Sequence, residues 1–321
     1  MFTINESFEK NPKMMREAYC ERLIELAMEN ENIVILDADL VSSSGVKPFF
    51  SRFPDRAIQC GVAEANMIGI ASGLSAMGKI PFAHSFGCFA TRRVCDQIMI
   101  SAAYARQNVR IVGTDPGITA AYNGGTHMPF EDMGVLRSIP GITLIEATDP
   151  VMLVDLLKQL TQLYGVFYLR MARKNVAAIY REGSEFEIGK GNTLADGSDV
   201  TIIASGIMVA EALKAREMLN TEGISARIVD MFTWKPIDAA LVGLCAKATG
   251  ALVTAENHNV IGGLGSAVAE AAAQTCPVPI EMVGVKDRFG QVGTEDFLRE
   301  EYNLTAAAIV EAAKRVISRK K

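Results

Sequence analysis

Apolar positions along this chain follow two alternating patterns. Short runs rich in Ile, Val, Leu and Phe fall at IVIL (33–36), IPFA (80–83), VRIVG (109–113), ITLIE (142–146) and VFYLR (166–170). They predict strands buried on both faces. Between them, Met14–Met28, Val62–Met77, Thr91–Tyr104 and Val151–Leu163 read as helices. A polar, glycine-containing stretch from Tyr180 to Ser198 then reads as a linker, with REGSEFE and ADGSD as its turn chemistry. The alternation restarts beyond it: DVTIIAS, a helix over Gly206–Asn220, SARIVD, a helix from Asp238, ALVTAE, a helix from Gly263, PIEMVGV, and a helical tail over Thr305–Ser318. Strand–helix alternation of this kind predicts an α/β fold of two domains, 1–180 and 190–321. Each is expected to hold a parallel sheet with helices on both faces.

Composition narrows the function classes. The 321 residues carry 32 Lys+Arg against 37 Asp+Glu, a formal net charge of −5, and no basic block. Nucleic-acid binding, which rests on neutralising phosphates, is therefore not expected. The longest apolar stretch, Met67–Gly78, is closed by Lys79 and is too short to cross a membrane. The opening MFTINESFEKNPK lacks the apolar run of an export signal, so a cytoplasmic chain is expected. Six scattered cysteines form no C-x-x-C and have no nearby His pair, which predicts reduced thiols and neither a metal site nor disulfides.

The chemistry concentrates in two stretches. In CGVAEANMIGIASGLSAMGKIPFAHSFGCFA (60–90), Glu64 is the only ionised side chain between Cys60 and Met77. It is either an acid stabilised in the first turn of a helix or a buried carboxyl kept for proton work. Gly69, Ala71, Ser72, Gly73 and Ala76 permit close approach by a neighbouring subunit or a flat ligand, and Phe86 and Phe89 follow a strand where a planar ring could stack. In NGGTHMPFEDMGVLRSIPG (123–141), two glycines precede Thr126 and His127, one of only three histidines. Such a turn lies at the carboxyl end of a strand, where α/β sheets bind ligands. Arg16, Ser43 and Arg173 together could hold an anionic substrate group, since arginine recognises such groups by forked hydrogen bonds. GGLGSA (262–267) fails as a dinucleotide fingerprint, because Val268 stands at the final glycine position. It reads as a glycine-rich helix start able to bind an anion. Neither G-x-S-x-G nor G-x-x-x-x-G-K-[ST] occurs.

The segments GVAEANMIGIASGLSAMGKIPF, FATRRVCDQI, GGTH-P-ED--LRSIPGI, RKNV, TWKPID, ENHNVIGGLGSAVAE and GVKDRFGQVGT run in the order and spacing of the carboxyl-terminal half of transketolase, which the chain resembles over nearly its whole length. The resemblance implies a thiamine diphosphate pyrimidine-binding domain followed by the transketolase C-terminal domain. The family's G-D-G…N motif for Mg²⁺ and diphosphate has no counterpart, since the one D-G, Asp196–Gly197, reads as a turn. One subunit of a split transketolase is thus implied. It would transfer a two-carbon ketol unit and work as a heterotetramer with a separate N-terminal diphosphate-binding subunit that carries the Mg²⁺ ligands. Self-association through both domains is also implied.

By position, Glu64 matches the family's catalytic glutamate, which bonds N1′ of the aminopyrimidine, and Phe89, with Phe86 nearby, matches the aromatic stacked on that ring. His127 matches a substrate-binding histidine able to shuttle protons, and Arg16, Ser43 and Arg173 match positions binding the phosphate end of the sugar. Two substrate-site positions depart from the pattern. Asp115 stands where transketolases usually carry a phosphate-contacting histidine, and Asn123 where they carry an aspartate that contacts sugar hydroxyls. A carboxylate beside a dianionic phosphate repels it. The expected substrate is therefore a modified or differently ended sugar, with phosphate, sulfonate or neither. Two alternatives share parts of the pattern: the β subunit of a 2-oxoacid dehydrogenase E1, and a deoxyxylulose-phosphate synthase. A third is a non-catalytic partner that keeps the fold.

Overall fold

The structure is a computed structural model that describes residues 1–320. Its strands are β1 (Ile33–Asp37), β2 (Ala57–Gln59), β3 (Ile80–Phe86), β4 (Arg110–Thr114), β5 (Ile142–Glu146), β6 (Val166–Met171), β7 (Asn192–Ala195), β8 (Val200–Ala204), β9 (Ala226–Asp230), β10 (Thr233–Lys235), β11 (Leu252–Asn259) and β12 (Ile280–Val285). They form two sheets, a seven-stranded one ordered β10-β5-β6-β4-β3-β1-β2 and a five-stranded one ordered β12-β11-β8-β9-β7. Every residue of β1, β4, β6 and β8 is buried, which is why these strands appear as mostly apolar runs rather than alternating ones. The fold is a two-domain α/β architecture of mostly parallel sheets flanked by helices.

Three expectations need correction. The Tyr180–Ser198 linker contains β7, which pairs antiparallel with β9 and closes one edge of the second sheet. The helix expected over Thr91–Tyr104 is broken: Thr91 sits at φ −128°, ψ −83°, outside helical geometry, and bonds back to the Gly87 carbonyl at 2.6 Å. A 3₁₀ turn at Arg92–Val94, a single α turn at Cys95–Gln97 and a π-helix at Ile98–Tyr104 follow. Third, the sheets are not wholly separate by sequence, because β10, which lies beyond β9, pairs antiparallel with β5 of the first sheet.

Buried polar groups bind the two sheets together. Arg170, on β6 and fully buried, donates to Asp132 Oδ2 at 2.8 Å, Glu146 Oε1 at 2.6 Å, the Pro129 carbonyl at 3.2 Å and the Asn257 carbonyl at 2.9 Å. Asp132 also accepts from Tyr168, and Glu146 from Ser205 of the second sheet. A buried arginine persists only when its donors are matched in this way. Burial alone would raise the Asp132 carboxyl, but the Arg170 charge and hydrogen bonds from Arg170 and Tyr168 more than offset it and hold the group below its ordinary value.

The start of the helix Leu264–Thr275 corrects a further expectation. Its N–H groups do bind a carboxyl group, but it is the chain's own. Glu256, fully buried, accepts from Leu264 N at 2.6 Å and Gly265 N at 2.8 Å, which fills the position an external ligand would take.

Candidate active site

The residues singled out in the sequence converge on the carboxyl edge of four adjacent strands. Ser43 follows β1, Phe86 ends β3, Asp115 follows β4 and Arg173 follows β6, in the spatial order β6-β4-β3-β1. This is the edge at which open α/β sheets bind ligands.

Glu64 opens the helix Glu64–Ala76, so it occupies the first turn, and it is also buried, with 2% of its surface exposed. Glu64 is thus at once a first-turn acid and a buried one. Its Oε1 accepts from Ser85 Oγ at 2.9 Å and its Oε2 from Arg93 Nη1 at 2.7 Å. Arg93 is half-exposed and places its guanidinium 3.8 Å from the centre of the Phe89 ring. Phe86, Phe89 and His127 form a triangle of edge-on rings, with centroids 6.2 Å apart for the two phenylalanines and 5.5 and 5.0 Å from each to the histidine. His127 Nδ1 is bonded to Thr126 Oγ1 at 2.9 Å, which fixes the ring through one nitrogen and leaves the other for a ligand. The other two histidines, His84 and His258, are fully buried, and burial depresses both to about 4, so they stay neutral.

A second cluster adjoins the rings. Arg173 donates from Nε to Asp115 Oδ1 at 2.8 Å and makes an ionic contact from Nη2 to Oδ2. Its Nη1 donates to Ser43 Oγ. The guanidinium carbon lies 5.0 Å from the Phe86 ring centre, so this cluster and the ring triangle share a wall. Arg16 donates to the Ser43 carbonyl at 3.3 Å. Burial raises the Asp115 carboxyl above its ordinary value, while Arg173, Lys174 and Arg16 pull it back. Asn123 is exposed and lies off this cluster, at the end of the 3₁₀ segment Gly117–Asn123.

The loop carrying Asp115 and His127 is held from the second sheet. Asn257, at 0% exposure on β11, accepts from Ile118 N at 3.0 Å and donates to the Pro116 carbonyl at 2.8 Å. Gly117 turns there at φ +49°, and a Cβ on it would collide with the Asn257 amide. Further along, a Cβ on Gly125 would collide with the Gly290 carbonyl, so the GGTH turn and the DRFGQVGT loop touch through bare backbone. Sequence reading missed Arg93, Arg170 and Asn257. Only Arg170 carried a usable signal, as a charge inside an apolar strand that had to be paired or absent.

Residues 11–178 match the family described as Transketolase, pyrimidine binding domain, and residues 189–309 match Transketolase, C-terminal domain. The chain belongs to the transketolase family. It is 53% identical over 306 residues, covering 95% of each chain, to the 6-deoxy-6-sulfo-D-fructose transketolase subunit SqwH of Clostridium sp. (strain MSTE9). It is 34% identical over 299 residues, covering 93% of this chain and 96% of the other, to one of the subunits of apulose-4-phosphate transketolase from Phocaeicola vulgatus. Among solved structures it resembles a split gene transketolase in an inactive β4 tetramer, with a TM-score of 0.89, 42% identity, and 96% and 99% of the two chains covered. Transketolases depend on thiamine diphosphate, and its planar pyrimidine ring can be tested against the notch between Glu64 and Phe89. The notch suits such a ring: a buried carboxylate at its floor, a phenylalanine face beside it, and a planar guanidinium already lodged between the two.

Proposed function

We propose that the chain is the pyrimidine-binding and C-terminal subunit of a split transketolase. It moves a two-carbon ketol unit from a ketose to an aldose once joined to a separate diphosphate-binding subunit. The buried carboxylate of Glu64, joined through Arg93 to the Phe89 ring of the Phe86–Phe89–His127 triangle, carries this reading. Thiamine diphosphate, with Mg²⁺ bound on the partner, supplies the carbanion-stabilising chemistry that side chains lack. Glu64 would hold a proton at the pyrimidine nitrogen, and Ser85, donating to Oε1, leaves Oε2, paired with Arg93, as the oxygen that would do so. Phe89 and Phe86 provide the apolar platform. His127 exchanges protons with the sugar, and Arg16, Ser43, Asp115 and Arg173 grip its far end, with Asn123 reaching the sugar from the loop.

The working assembly is proposed to be a cytoplasmic heterotetramer of two such chains and two diphosphate-binding chains. The outer face of the helix Glu64–Ala76 supports this, since a Cβ on Gly69 or Gly73 would meet nothing and the flanking Val62 and Met77 are exposed. Met99, Ile100 and Tyr104 on the neighbouring π-helix extend the same apolar surface. The likeness to a chain solved as a β4 tetramer supports self-association. Calorimetric titration of thiamine diphosphate with Mg²⁺, into this chain alone and into its mixture with the diphosphate-binding subunit, tests the proposal. Saturable binding in the mixture alone, followed by ketol transfer to an aldose, is expected. A mixture that assembles yet neither binds nor transfers removes it.

A further inference from the structure

The Asp115–Arg173 pair sits where the sugar's far end is proposed to be held, and it changes what that end can be. A guanidinium has five N–H donors, and Arg173 commits two of its own in hydrogen bonds: Nε to Asp115 and one on Nη1 to Ser43. The Nη2 group, in ionic contact with Asp115, and the second Nη1 N–H remain for a ligand, and the positive charge behind them is largely cancelled by a carboxylate with 1% of its surface exposed. Arg16, held to the same Ser43 through its main-chain carbonyl, is the other guanidinium of the cluster, and the exposed Lys174 adds a solvated charge at its rim. Repulsion from Asp115 grows in proportion to ligand charge, so a dianion meets about twice what a monoanion meets at the same place. An alkyl phosphate is mostly doubly charged at neutral pH, with a second ionisation near 6. An alkyl sulfonate offers three oxygens in the same tetrahedral arrangement with a single charge.

Resting on the split-transketolase reading, we infer that Asp115 is a specificity-determining residue that biases the sugar-end site toward singly charged, sulfonate-type termini and against phosphate. The pairing with Arg173 does this without removing donors from Ser43 or Arg16, so an anion is still recognised while its second charge is penalised. The backbone allows a clean test. Asp115 sits at φ +59°, a left-handed conformation that asparagine and glycine adopt most readily, so Asp115→Asn and Asp115→Gly remove the charge without adding strain.

The experiment uses the chain mixed with its diphosphate-binding subunit, saturated with thiamine diphosphate and Mg²⁺. Donors are 6-deoxy-6-sulfofructose, fructose 6-phosphate and fructose, with uncharged glycolaldehyde as the common acceptor so that only the donor's terminus varies. The wild-type protein is expected to favour the sulfonate over the phosphate in kcat/KM. Both variants are expected to move that ratio toward phosphate by about tenfold or more, carried mainly by KM for the phosphate. An equal change for both anionic donors in folded variants that still bind the cofactor overturns the inference while leaving the reaction assignment standing. So does a wild-type enzyme that handles fructose as well as either anion. Absence of turnover with every donor tested would instead remove the transketolase reading, and the inference with it.

Discussion

Arg93 donates to the Glu64 carboxylate at 2.7 Å from a position over the Phe89 ring, so one planar cation fills the gap between the two groups proposed to hold a pyrimidine. A half-exposed ion pair and an exposed cation–π contact are each worth about 1 kcal/mol or less. Displacing Arg93 therefore costs about 1–2 kcal/mol, close to a factor of ten in affinity. Arg93→Ala is expected to tighten thiamine diphosphate binding to the assembled enzyme about three- to tenfold in calorimetry. Weaker binding would show instead that Arg93 helps to hold the ring.

Replacing Glu64 with Gln keeps a partner for Ser85 while removing the proton-accepting oxygen. Ketol transfer is expected to fall by at least about 100-fold, within the range of general acid–base contributions. Thermal stability and association with the partner should persist, because the only charge left behind is the half-exposed Arg93. Steady-state turnover and size-exclusion chromatography on the same sample separate the two effects.

Asn257 is a positioning residue that acts through the loop it grips. In Asn257→Leu the Ile118 N–H and the Pro116 carbonyl lose their buried partners, at about 1–3 kcal/mol for each unsatisfied group. The expected result is a lower melting temperature and at least tenfold weaker kcat/KM for the ketose, with cofactor affinity, proposed to rest on Glu64 and Phe89, changing less. Equal losses in sugar and cofactor binding would mean general loosening of the fold.

Stability should depend on pH through the junction between the sheets. Asp230, buried and accepting from Tyr180 and Thr148, is raised from 3.8 to about 7, chiefly by burial. Glu256, also raised chiefly by burial, stands at about 8 against 4.5. Each group binds its proton more tightly folded than unfolded. The resulting stabilisation is complete below about pH 4 and is lost as pH rises through 7 to 8. Melting temperature is expected to decline between pH 5 and pH 8, and Asp230→Asn should flatten the slope. Trp234, the chain's only tryptophan and buried at the junction beside His258, gives a fluorescence signal for these melts.

Periodicity reveals what local forces determine. The runs at ITLIE and VFYLR became β5 and β6 almost residue for residue, because strands buried on both faces leave a largely apolar signature with few alternating polar positions. Three-residue β10 left none, since TWK is a strand only by pairing with residues 144 and 145, far back in the chain. Glu64, the rings and His127 were legible as unusual residue types in glycine-rich company. Arg93 was not, because in sequence it is one half of an ordinary Arg–Arg pair, and only the fold reveals that it turns inward to a carboxylate.

The strand β10 also decides where this polypeptide can be cut. Without Thr233–Lys235, β5 becomes a bare outer strand with open N–H and C=O groups, a template for sticking to other molecules. Residues 1–180 expressed alone should therefore come out as inclusion bodies, whatever the quality of their own core. A soluble fragment for crystallography or domain grafting has to carry the Thr233–Lys235 ribbon with it, and a chimera that exchanges the second sheet must preserve the ribbon's register against Leu144 and Ile145.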